Sequence, residues 1–322
     1  MSFLTSMPSI QDNVRIKAFL LLAALAALIV APFFIYPMFL MNILCFALFA
    51  SAFNFLLGYV GLLSFGHAAF FGSAAFVTAY AARSWGLPTE LAILSGVGAA
   101  ALLGLIIGFF AIRRQGIYFA MITLALGQVV YFFFQQASFT HGEDGIQNVP
   151  RGSLLGLLDL NHNLSMYFFV LGVVVIGHLF IWLIVNSPFG NVLKAIRDNE
   201  ARAVSLGYNV NSYKVRAFVI SAALAGLAGS LSTMVFQLAT LAGVEWQNSG
   251  EAILMSLVGG IGTLAGPAVG ATVVIGLRTF LATMDVPTTF IIGFIFVACV
   301  ILFRRGIAGE IIAGMRWDKP RA

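Results

Sequence analysis

Apolar runs of about 20 residues, separated by short polar or glycine- and proline-bearing stretches, fill most of the chain. A helix needs about 20 apolar residues to cross the hydrocarbon core of a bilayer, so each run reads as a membrane span. Ten runs fit: Ala18–Tyr36, Phe39–Gly58, Gly61–Ala82, Pro88–Ile112, Gly116–Gln136, Met166–Asn186, Val215–Gln237, Ser249–Gly262, Leu264–Thr283 and Val286–Phe303. Only Pro37 and Met38 separate the first two. The third opens with GLLSFGHAAFFG, which predicts a broken or re-entrant helix, and the eighth is short. The pattern predicts an all-α, polytopic integral membrane protein with about 8–10 transmembrane helices. The first span is too long for a cleaved signal peptide, and many spans follow it.

Two interruptions are long. The first, residues 137–165, reads ASFTHGEDGIQNVPRGSLLGLLDLNHNLS. It carries His141, Glu143, Asp144, Asp159 and His162, but their spacing matches no metal-ligand pattern. GEDG is a turn signal, and Pro150 and Gly152 continue the irregular backbone, so the expectation is a loop that packs or docks a partner. The second, residues 187–213, reads SPFGNVLKAIRDNEARAVSLGYNVNSY. Pro188 and Gly190 break the preceding span, and a helix is expected from Asn191 to Ser205 with Gly207 as its stop. Val192, Leu193, Ile196, Ala203 and Val204 would form its apolar stripe. Lys194 with Asp198, and Asp198 with Arg202, lie four apart on the other side. Such a stripe must be buried, against either the membrane surface or a partner protein, and periodicity does not separate the two.

Composition agrees with the spans: 61% of the 322 residues are hydrophobic and 9% charged, with a mean hydropathy of +1.00. Soluble domains carry about 25% charged residues, so this surface faces lipid. With the N-terminus inside and ten spans alternating, only Arg83, Arg151 and Arg278 of the 17 lysines and arginines fall outside. That bias fits the positive-inside rule, and it accounts for a pI near 9.4 without nucleic-acid binding. Residues 1–17 would be a cytoplasmic extension, 18–303 one transmembrane domain, and 304–322 a cytoplasmic tail. Cys45 and Cys299 lie inside apolar runs with no CxxC spacing and read as small buried residues.

Polar residues inside spans are costly and should face a cavity or a partner. They are Asn54, Ser64, His67, Gln128, His178 and Glu251. The glycine-rich segments Gly61–Gly72 and Gly259–Gly270 either pack helices closely or let them unwind along a path. Asn54, Ser64, His67, Gln128, Gly259 and Gly260 are therefore the candidate translocation path. Glu251 follows Asn248 by three, a capping-box spacing, and Arg278 would pair with an acid or meet a partner. The chain has no GxxxxGK[ST] phosphate loop. GGIGTLAG at Gly259–Gly266 follows an apolar segment rather than a strand, so no nucleotide, cofactor or metal site is expected. The scattered histidines offer no nucleophile–base set, which argues against a membrane enzyme, and scarce buried carboxylates argue against an ion-coupled secondary transporter.

Four ordered motifs carry a resemblance. FGNVLKAIRDNEARAVSLGYNVNSYKVRAFVISAALAGLAGSL resembles the inner loop and following span of the branched-chain amino acid ABC transporter permease family. GLLSFGHAAFFGSAAF is similar to its early glycine-rich span, THGEDGIQNVPRG to the outer loop of its LivM-type branch, and LMSLVGGIGTLAGPAVGA to its late glycine-rich segment. The resemblance runs from about Leu40 to Arg305. It implies a fold like that of cobalamin-type importers in a bacterial cytoplasmic (inner) membrane, with both termini cytoplasmic. The implied partners are two cytoplasmic ATPase subunits, a second related permease subunit and a periplasmic solute-binding protein. The substrate would be a branched-chain or related amino acid, an amide or an organic acid, chosen largely by the binding protein. The inner-loop helix would be the coupling helix seated in an ATPase, with Lys194, Ile196, Arg197, Asp198, Glu200, Arg202 and Gly207 as the coupling residues.

Overall fold

The computed structural model describes residues 25–282 apart from Leu155 and Leu157, residues 306–314, and the single positions Ala23 and Gly293. The N-terminal extension, Cys299, and all but Gly293 of the expected last span lie outside the described residues.

The first expected span is helical over residues 25–30 and ends in a 3-10 turn, Ala31–Phe33. Helix α1, Pro37–Asn54, then starts with proline at its first position and runs on into a π-helical turn, Phe55–Val60. Helix α2 is His67–Arg83, α3 Thr89–Ala111, α4 Ile117–Gln136 and α5 Asn163–Asn186. Two short helices follow, α6 Pro188–Asp198 and α7 Glu200–Ser205, and then the long α8, Val210–Phe236. Helices α9, Trp246–Gly259, α10, Gly266–Leu281, and α11, Ile307–Gly314, complete the described chain. Among the described residues, five segments are long and apolar enough to cross a membrane: Pro37–Val60, α3, α4, α5 and α8.

The third and eighth runs differ from full-length helices. Gly61 has φ +80°, residues 61–66 leave the helical path, and α2 begins only at His67. Helix α9 has 14 residues, about 21 Å at 1.5 Å per residue, short of a hydrocarbon core of about 30 Å. It begins three residues earlier than expected, so Asn248 is not its cap. The Asn248 side chain bonds the Ala242 carbonyl instead, and the capping box with Glu251 does not form. Glu251 pairs with Arg278 at 2.7 Å.

Small residues set the packing of α3 on α8. A Cβ on Gly96 would meet Thr78 Oγ1 at 2.1 Å and Ser230 Oγ at 2.5 Å; on Gly226 it would meet the Ala100 Cβ at 2.3 Å, and on Gly104 the Ala222 Cβ at 2.4 Å. The contacts step by four residues in opposite directions, the small-xxx-small zipper of two antiparallel membrane helices. Helix α1 lies at the centre, against α5, α8, α9 and α10, with Met41, Leu48, Phe49 and Phe53 fully buried, as is Leu56 in the π-helical turn. Helix α4 is peripheral and exposes Met121, Val129, Phe132 and Phe133, a surface suited to lipid.

Loop 137–165 is ordered by backbone pairing at one end of the bundle. Strand β1, Ile146–Gln147, pairs antiparallel with β4, Leu238–Ala239, just past α8; β2, Ser153–Leu154, pairs with β3, Leu158–Asp159. Arg151 is 4% exposed. Its Nε and Nη2 donate to the Met234 and Val235 carbonyls at 3.1 and 2.6 Å, and its Nη1 to Asn163 Oδ1 at 2.9 Å. Thr89 Oγ1 donates to the Arg151 carbonyl. One residue thus ties the loop to α3 through its carbonyl and, through its side chain, to α5 and the carbonyl end of α8, where a cation is favourable.

Candidate functional site

At the opposite end, loop 187–213 is seated on the bundle. Ser187 caps α6 by accepting from Gly190 N at 3.2 Å, and Pro188 takes the first helical position. The single helix expected from Asn191 to Ser205 is instead two helices divided at Asn199. That residue is extended, and its Oδ1 accepts from Arg202 N at 2.9 Å, capping α7. Its side chain offers the backbone an alternative to continuing the helix. Asn199 followed by Glu200 was the readable signal, an N-cap with an acid in the first turn. Gly207, at φ +87°, follows the end of α7 in the left-handed turn that glycine allows.

The buried stripe is shorter than expected. Ile196, Ala203 and Val210 form a small core of their own with Val192 and Tyr213 beside it, and Leu193 joins the main core. Val204 is 57% exposed and lies outside the stripe. The charges also pair differently. Lys194 Nζ donates back to the Val185 carbonyl at 2.8 Å. Asp198 Oδ1 takes Arg197 Nε and Nη2 at 3.1 and 2.9 Å. Arg197 Nη1 reaches the Gly58 carbonyl at the end of α1 at 2.5 Å. Glu200 takes Lys214 Nζ at 2.6 Å, and Lys214 is buried. Lys194, Ile196 and Glu200 thus turn toward the bundle. Arg197 reaches it through Nη1 although its side chain is 40% exposed, and Asp198, Arg202, Val204, Leu206, Gly207 and Tyr208 are exposed.

Asn54, buried near the end of α1, accepts from Gly262 N at 2.9 Å and donates to the Thr263 carbonyl at 2.8 Å. It holds the turn between α9 and α10. In that turn Gly260 has φ +117°, and a Cβ on Gly259 would meet the Gly266 carbonyl oxygen at 1.8 Å, so Gly259 is a close-packing glycine in this conformation. Ser64 and His67 form a second group. Ser64 Oγ accepts from Gly66 N at 3.3 Å. His67 is fully buried among Phe53, Phe70 and Phe218, with Nε2 2.8 Å from Ser221 Oγ. The Ser221 hydroxyl donates to the Ala52 carbonyl at 2.6 Å. Its one proton is thereby committed, so His67 Nε2 is the donor to Ser221 Oγ. Gln128 is half-buried on α4, beside Gly127, which packs on Gly66. Phe65 N donates to Thr123 Oγ1 on the same helix, so Gln128's helix borders the unwound segment. His178 is tied to Ser51 Oγ at 3.0 Å and to the Val174 carbonyl at 2.9 Å, a packing role.

Sequence spacing missed Arg151, Lys214 and the inward turn of Arg197. At this end a loop, a helix end and a glycine turn share polar contacts.

Residues 35–302 match the family model described as branched-chain amino acid transport system / permease component. The high-affinity branched-chain amino acid transport system permease protein LivM of Escherichia coli K12 is 26% identical over 279 residues, 79% of this chain and 65% of that protein. The chain thus spans about two thirds of that relative's length. The fructose import permease protein FrcC of Rhizobium meliloti is 28% identical over 60% of this chain and 57% of its own. The L-arabinose ABC transporter permease protein AraH of Azospirillum brasilense is 27% identical over 62% and 58%. No solved structure matches. Because the family model takes in α1, the unwound segment, both long loops and the glycine turn, the chain belongs to the family of branched-chain amino acid transport system permease components.

Proposed function

We propose that this chain is the membrane-spanning permease subunit of an ATP-binding-cassette importer. It works with two ATPase subunits, a second related permease and a periplasmic solute-binding protein in a bacterial inner membrane. Residues 18–303 form one transmembrane domain, with the termini and loop 187–213 in the cytoplasm and loop 137–165 outside. The charge asymmetry supports that orientation. The solute is a branched-chain or related amino acid, an amide or an organic acid. The long match to LivM favours the first, since FrcC and AraH, named for sugars, match over less of this chain.

The observation that carries this reading is the form of loop 187–213: two short helices anchored to the bundle on one side and exposing Asp198, Arg202, Val204, Leu206 and Tyr208 on the other. An apolar group beside charges, on a rigid base, suits a seat in a partner protein. On this reading the α6–α7 corner and the turn after α7 make the ATPase contact through Asp198, Arg202 and the backbone at Gly207, while Lys194, Ile196, Arg197 and Glu200 fix the loop. The path opens where α1, the unwound segment 61–66, α4 and turn 260–263 meet, bringing Asn54, Ser64, His67, Gln128, Gly259 and Gly260 to its walls in another conformation. The test is uptake of radiolabelled leucine by vesicles holding this chain with all its partners. ATP-dependent uptake that disappears when the ATPases are omitted is expected. Uptake driven by an ion gradient alone would sink the proposal.

A further inference from the structure

The π-helical turn closing α1 redistributes its carbonyls. Gly61 N bonds the Leu57 carbonyl and Leu62 N the Leu56 carbonyl, both at 3.2 Å. The left-handed Gly61 then carries the chain away from the helix axis. The Gly58 carbonyl, at the negative end of the helix, receives Arg197 Nη1 at 2.5 Å. Asp198 orients that guanidinium by binding Nε and Nη2. The stem of Arg197 lies on the turn itself, for a Cβ at Gly61 would be 2.9 Å from its Cγ.

The contacts continue on the far side of α1. A Cβ at Gly58 would be 2.6 Å from Gly262 N, and Asn54, one turn earlier, holds Gly262 N and the Thr263 carbonyl. Gly306, just before α11, packs so closely on Gly260 that a Cβ there would be 2.4 Å from its Cα. Helix α6, the end of α1, the α9–α10 turn and the start of α11 form one unbroken series of contacts.

The geometry points to Arg197 as a positioning residue: a strut through which displacement of α6 and α7 moves the end of α1 and, by way of Asn54, the glycine turn at 260–263. This rests on the permease reading above. It replaces the expectation that Arg197 touches the ATPase. The two roles differ in what their loss does. Losing a docking side chain weakens ATPase attachment and lowers hydrolysis and uptake together. Losing a strut leaves the ATPases attached and hydrolysing but lowers uptake per ATP.

The experiment uses the full-length chain, alone and in the complete complex, with Arg197→Met to keep the stem and Arg197→Lys to keep a charged donor. Loss of a charge-assisted bond should speed amide exchange at residues 58–63 and 260–264 about tenfold, with the α3–α8 zipper unchanged. Arg197→Met combined with Asn54→Ala should add little at 260–264 to either change alone, because both cut one connection. In the complex, Arg197→Met should lower uptake per ATP about tenfold with bound ATPase unchanged, and Arg197→Lys should restore most of it. Unchanged exchange at 260–264 would overturn the strut, and so would a parallel loss of bound ATPase, hydrolysis and uptake. If the unaltered complex imports nothing with all partners present, the permease reading fails, and the exchange result alone decides the role of Arg197.

Discussion

Two arginines, at opposite ends of the bundle, each close the carbonyl end of a long helix, and they do so differently. Arg151 comes from loop 137–165, is 4% exposed, and spreads its guanidinium over two carbonyls and Asn163 with no carboxylate among its bonds. Arg197 comes from loop 187–213, has a side chain 40% exposed, and gives one bond to a carbonyl and two to its neighbour Asp198. Among the described residues the acceptors of Arg151 are all neutral, and a buried charge so held has no cheap alternative partner, so Arg151 acts as a fixed staple. A half-exposed guanidinium sharing its fork with an exposed acid can exchange partners with water or protein at small cost. Fixed and releasable contacts at the two ends suit a bundle whose one end must hold while the other moves.

The sharpest way to break the comparison is Arg151→Met. It leaves the Met234 and Val235 carbonyls unpaired in a dry site, and each lost charge-assisted bond is worth about 1.5–3 kcal/mol. The expected result is a thermal midpoint in detergent lowered more than by any change at Arg197, with faster exchange at β1 and β4. Arg151→Lys should recover only part, because one ammonium cannot reproduce the fork. A midpoint equal to that of Arg197→Met would erase the difference between the two ends.

Gly61→Ala comes next and acts on the other arginine. At φ +80° a Cβ costs about 1–2 kcal/mol, and the new methyl would press on Arg197 Cγ, 2.9 Å away. The stability loss should be modest and the exchange change local to residues 58–63 and 260–264. Asn163→Ala ranks third. It removes the one Arg151 bond whose acceptor is exposed, where water can take over, and should cost only about 1 kcal/mol, read as a small drop in the midpoint with β1–β4 exchange unchanged.

Much of this was legible in the sequence, and what was not has a physical cause. Hydropathy located α1, α3, α4, α5 and α8 because lipid demands long apolar helices. GLLSFGHAAFFG announced a break, and residues 61–66 are non-helical. The division at Asn199 was readable from its capping chemistry but hidden by an apolar pattern that ran across it. Lys214 looked like one more basic residue at a membrane edge, and its pairing with Glu200, 14 positions away, depends on α7 folding back on α8. Arg151 looked the same, and its partners at 234 and 235 are met only through tertiary structure. The glycines at 259–270 carried two readings at once. Gly259 packs against Gly266, yet Gly260 is at φ +117°, so one run both closes a helical hairpin and bends the chain.

The smallest expected effect tests the releasable end most directly. Asp198 is 67% exposed and faces away from the bundle, so its pair with Arg197 adds little to folding, less than about 1 kcal/mol for an exposed pair. Its use is to hold the guanidinium plane so that Nη1 points at the Gly58 carbonyl. Asp198→Asn keeps an acceptor oxygen but loses the charge, and the fork then wanders among more orientations. The thermal midpoint should not move measurably, while exchange at residues 58–63 should rise by about twofold, well below the change from Arg197→Met. High salt should have the same direction of effect on the unaltered chain, because it screens the exposed pair, and should leave the Arg151 end untouched. If salt loosens β1 and β4 as much as residues 58–63, the two arginines are equally accessible to water and the contrast between a fixed and a releasable end is wrong.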